Sequence, residues 1–117
     1  MGIFLSPTDR QDLAADAAGI AALADALTSI AYDGNRSNAD RDAFLRLLRH
    51  ARNTAAYLNC LAQIHGDVSR ICGLIICEAR AVFVIWQTLH CGGLTNRLES
   101  HVRKAVRRLD DMATRGK

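Results

Sequence analysis

Between residues 68 and 90 the chain reads VSRICGLIICEARAVFVIWQTLH, and apolar residues fall on almost every side of a helix drawn through it. A helix without a polar side belongs either in a bilayer, which takes about 17–25 predominantly apolar residues, or inside a protein. Glu78 and Arg80 stand at its midpoint, where each would cost about 2.5–3.5 kcal/mol in hydrocarbon. Three other segments each carry one apolar face that needs a partner. We therefore expect no membrane span. The segment reads instead as a central helix wrapped by its neighbours and completed by a second subunit.

The neighbours are set out by periodicity. Helix one is expected over 9–31, with Leu13, Ala17, Ile20, Ala24, Leu27 and Ala31 in a strict 3-4 alternation and Leu23 and Ile30 widening the stripe. Ser6 or Thr8 can cap it, with Pro7, Asp9 and Asp12 placed where a helix start favours them. Tyr32 to Asn38 reads as a loop. Gly34 suits a C-cap there, and Ser37 with Asp40 suits a capping box for the next helix. Helix two is expected over 39–65, with Phe44, Leu47, Leu48, Ala51, Ala55, Leu58, Leu61, Ala62 and His65 along one side. Unbroken helix from 39 to 90 would make a rod of about 78 Å, so Gly66 is expected to end helix two and Asp67 to cap helix three, over 68–90. Thr95, or Asn96 with Glu99, can cap helix four over 96–113, whose apolar face is Leu98, Val102, Ala105, Val106, Leu109 and Met112. Residues 1–7 are a lead-in and 114–117 a frayed tail.

The 117 residues suit one domain, and half of them are apolar. One proline and the lack of recurrent strand-turn-strand signals leave little room for sheet. The fold class is all-α, a compact bundle of about four helices with helix three central.

Chemistry finds little purchase. The cysteines at 60, 72, 77 and 91 match no CxxC spacing. Three lie in apolar helical text and read as small buried hydrophobes, with Cys91 the exposed thiol. Reduced thiols and no secretory signal point to the cytoplasm. His50, His65, His90 and His101 are dispersed, and no HExxH, EF-hand, GxSxG or phosphate-loop pattern occurs. The pairs Arg46–His50 and Arg97–His101 share helix sides in a way that suits acid-base work, but arginine is abundant enough for this to arise by chance. No enzyme, metal or cofactor is expected.

Charge points to binding instead. Residues 1–34 hold Asp9, Asp12, Asp16, Asp25 and Asp33 against Arg10, while 35–66 and 92–117 are net basic and the whole chain is +3. Arg46, Arg49 and Arg52 on helix two, and Arg103, Lys104, Arg107 and Arg108 on helix four, are the binding-surface candidates. Acidic helix one can neutralise part of this, and Glu99, Asp110 and Asp111 can pair along helix four. Thirteen arginines against two lysines suit carboxylates as well as phosphates. Nucleic acid through helices two and four is thus the alternative to an acidic protein partner, although helix-turn-helix character and interleaved aromatics are both missing. Glu78, amid apolar neighbours, must pair with an arginine of another helix or subunit, or reach solvent through a gap. Trp86 and Tyr57 are candidates for interface or core anchors. The expectation is a small protein-binding, regulatory module of inhibitor or adaptor type, homodimeric through helix three.

Overall fold

The computed structural model describes residues 2–31, 37–89 and 93–115. They form four α-helices and no strand: α1 (Pro7–Ala31), α2 (Asn38–Leu61), α3 (Ser69–Thr88) and α4 (Leu94–Arg115). The expected Gly34 cap, His90 and Cys91 fall outside the described residues.

The helix starts follow local chemistry. At α1 the Asp9 N–H donates to Ser6 Oγ (3.1 Å) and the Ser6 N–H to Asp9 Oδ2 (3.0 Å), a reciprocal box around Pro7. Ser37 Oγ accepts from the Asp40 N–H at the start of α2 (3.1 Å). The end of α2 differs from expectation. It stops at Leu61, where Gln63 and Ile64 donate three residues back to Cys60 and Leu61, so the last turn tightens well before Gly66. Gly66 sits at φ +120°, a backbone shape open to glycine, and His65 is left exposed beside it rather than on the apolar side of a helix. Asp67 caps as expected but from further out: its Oδ1 accepts from the Ser69 N–H (3.0 Å) and hydroxyl (2.5 Å). The same oxygen takes the Ile3 N–H (2.9 Å), and the Val68 N–H donates to Ile3 O (2.9 Å), stitching the lead-in to the turn. Neither expected cap of α4 holds. Gly93 (φ +61°) precedes the helix, Thr95 is buried inside its first turn, and Asn96 and Glu99 have partners elsewhere. The helix also continues through Arg115, so 114–115 are ordered helix rather than tail.

The four helices stand at the corners of a square in chain order. α1 packs on α2 and α4, α3 packs on α2 and α4, and α2 touches α4 across the diagonal. The bundle is drawn out to 49 × 21 × 18 Å. All six predicted core positions of α1 are buried, as are Phe44, Leu47, Leu48, Ala51, Ala55, Leu58 and Leu61 of α2. In α4 the predicted face is buried except Val106, which is half-covered.

The central position expected of helix three is corrected. Only Cys72, Ile75, Ala79 and Val82 of α3 are buried. A corner helix in a four-helix square is covered on the two sides that face its neighbours, whatever its composition. Apolarity all round therefore leaves an apolar face outside.

Candidate functional site

That outside face carries Leu74 and Val84, two of the large apolar side chains exposed among the described residues, with Phe4 and Ile30 elsewhere. At 100° per residue, Gly73, Leu74, Cys77, Ala81 and Val84 project away from the buried set of α3. Val84 is 62% exposed and Leu74 45%, and Gly73 and Cys77 are open as well. Arg70 and Arg80 share this side and are exposed. Among the described residues neither has an ion-pair partner, and no acidic residue of α3 is fully exposed.

Glu78 sits on the flank of this face. Its Oε2 lies 2.6 Å from His50 Nδ1 on α2, with side-chain exposures of 21% and 23%. The partner expected for it was an arginine, and the structure supplies a histidine. The signal was in the sequence: residues 50 and 78 lie fifteen and thirteen positions either side of His65, the middle of the reversal between two antiparallel helices. His50 is anchored in turn, because the buried Thr54 hydroxyl donates to its carbonyl oxygen (2.8 Å). Arg46 and Tyr57, one turn before and two turns after His50, lie on the same shoulder of α2. Tyr57 is half-buried against the core. Trp86, also half-buried, donates its indole N–H to Asn96 Oδ1 (3.1 Å), joining the end of α3 to the start of α4.

The expected basic faces divide. Arg108 reaches across to α1, with Nε donating to Asp16 Oδ2 (2.7 Å) and a terminal nitrogen to Asp12 Oδ2 (3.0 Å). The hydrogen bond it donates to Asp16 and the charges of Asp16, Asp12 and Asp9 raise its already high pKa against the opposing effect of burial. Arg115 binds Asp9 (2.9 Å), and Arg52 binds Asp25 (3.1 Å) and the Thr28 hydroxyl (2.6 Å). Arg103 turns along its own helix to Glu99, Nε to Oε1 at 2.6 Å, and stacks over the Phe83 ring of α3 at 4.7 Å. Arg52, Arg103 and Arg108 therefore already hold carboxylates of their own chain. Lys104 and Arg107 are exposed without an ion pair among the described residues, and Arg46 and Arg49 border a shallow depression with Ala39, Asp42 and Leu45. The seven candidates do not form one surface.

A second depression, about 370 Å³, runs between α1 and α2 over a floor of alanines, with the Asp25–Arg52 pair among its lining. Cys60 and Cys77 are exposed, which corrects the expectation that they are buried, and Cys72 is buried. Burial pushes the Cys72 thiol above its ordinary pKa. Among the described residues no three His, Cys, Asp or Glu side chains come together as metal ligands. α1 and α3 are both long and apolar enough to cross a membrane. Each buries a row of side chains inside the bundle.

Comparison with protein-family models, curated proteins and solved structures yields no match to this chain.

Proposed function

We propose that the chain is a non-catalytic protein-binding module, regulatory in the manner of an inhibitor or adaptor, that docks its partner on the outer face of α3. The observation that carries this reading is the exposure of Val84 and Leu74 on one side of a helix that buries only four side chains. Uncovered apolar groups clustered on a helix face gain free energy when another surface removes them from water. The setting is the reducing cytoplasm, with Cys60, Cys72 and Cys77 as free thiols.

The nucleic-acid alternative draws less support. Three of its seven candidate cations are engaged with carboxylates of the same chain. An array of phosphates would also leave Val84 and Leu74 wet.

A photoreactive amino acid at position 84, introduced in cells of the source organism, tests the reading. A discrete protein adduct from position 84, absent when the probe stands at exposed Gln11 on α1, is the expected result. Identical adducts from both positions, or none from either, would contradict it.

A further inference from the structure

We infer that the partner element seated on α3 is a single helix whose apolar side is bordered by carboxylates, an inference that rests on the docking reading above. The first ground is charge. Arg70 and Arg80 lie on the exposed face about 15 Å apart along the axis, with Leu74 and Cys77 between them, Val84 one turn beyond Arg80, and no ion pair to either among the described residues. Guanidinium groups at such a border favour planar carboxylates, with which they make paired hydrogen bonds.

The second ground is shape. Gly73, Cys77 and Ala81 follow at four-residue spacing, so the face between Arg70 and Val84 carries a run of small side chains with Leu74 at its edge. Gly73 is the telling position. A glycine inside a helix weakens it relative to alanine, and nothing in the chain requires this one: a Cβ built on Gly73 meets no atom within 4 Å, and its φ is not positive. The fold gains nothing from the missing side chain, whereas a body approaching from outside gains room for close backbone contact. Small side chains along one helix face let the backbone of a partner helix approach closely.

A second copy is a poorer occupant. Its carboxylates at Asp9, Asp12, Asp16, Asp25 and Glu99 are bound to its own arginines, and the exposed Asp40, Asp42, Asp110 and Asp111 stand on α2 and α4, whose apolar faces are buried in their own bundle. Pairing α3 with α3 would also bring four arginines together without counter-charge. This departs from the homodimer expected from sequence, and the test separates the two.

The probe is a synthetic twenty-residue helix with a leucine and alanine face flanked by glutamates, titrated into the full chain by calorimetry, beside a counterpart flanked by lysines. Wild type should bind the glutamate peptide and not the lysine peptide. Gly73→Leu should melt at or above the wild-type temperature yet bind at least tenfold more weakly. Arg70→Glu with Arg80→Glu should lose the glutamate peptide and gain the lysine one. Equal binding of both peptides, no binding of either, or unchanged affinity in Gly73→Leu would overturn the inference. A sedimenting dimer dissociated by Gly73→Leu would replace the partner helix with a second copy, and tighter capture by phosphatidylglycerol vesicles would replace it with a lipid surface. A protein adduct from position 84 that ignores the Arg70 and Arg80 reversals would sink the acidic helix while leaving the docking reading in place.

Discussion

Glu78 Oε2 and His50 Nδ1 lie 2.6 Å apart, a side-chain pairing that joins α2 to α3. Both side chains are more than three-quarters covered, so removing one leaves the other poorly solvated and without its partner. A double-mutant cycle with Glu78→Gln and His50→Gln at pH 6 should give a coupling of about 1 kcal/mol. Additive losses in urea unfolding would show that the contact contributes nothing to the packing of α3.

Arg108 ties the first and last helices. Asp16 has only 8% of its side chain exposed, so Arg108→Ala strands a covered carboxylate and should cost about 2 kcal/mol. Adding Asp16→Ala should return part of that loss. A double variant no more stable than Arg108→Ala alone would contradict this.

Acid should weaken the start of α1. Burial raises the Asp9 carboxyl pKa, but Arg115 and the Ser6 N–H and hydroxyl outweigh it and hold the group below its ordinary value of 3.8. At Asp67 the Ser69 hydroxyl, the Ile3 N–H and the Ser69 N–H depress the pKa outright. A folded-state pKa below the unfolded one gives stability that is fully present above the unfolded value and lost as pH falls through the folded one. Asp9→Asn should therefore be less stable than wild type at pH 7, by about 1 kcal/mol for the lost cap, and the gap should close below pH 4. A gap constant down to pH 2 would exclude the charge contribution.

The thiols should separate by site. Cys60 and Cys77 are exposed and Cys72 is buried with a raised pKa, so peptide mapping after a short maleimide pulse at pH 7 should find label at 60 and 77 and little at 72. Partner binding should protect Cys77 and leave Cys60 reactive. Protection of Cys60 instead would move the docking surface to another part of the bundle.

How far the sequence could be read depended on what kind of information each feature needed. The six core positions of α1 were legible, because Leu13 through Ala31 keep one period and the burial follows it, whereas Ile30, expected to widen the stripe, is exposed. The capping oxygens of Ser6 and Ser37 were legible too, since a cap acts within three residues. The end of α2 was not. Gly66 marked the reversal, but the chain leaves the helix at Leu61 and runs on to bury Val68 and meet Ile3, a contact from the far end of the sequence. α3 failed for a different reason: periodicity reports which side of a helix can be buried, and a helix apolar on every side gives no direction. Its corner position comes from the arrangement of the other three. Arg108 illustrates the same limit, for the acids nearest to it along α4 lost to Asp12 and Asp16 across the bundle.

The central claim is that the outer face of α3 is where this chain meets another protein. The most direct measurement is photo-crosslinking from position 84 in source-organism cells, in the wild-type background and with Gly73→Leu added. A discrete adduct that disappears when position 73 is filled, in a protein that melts no lower than wild type, is what this account predicts. An adduct unchanged by the leucine, or shared with a probe at Gln11, would contradict it.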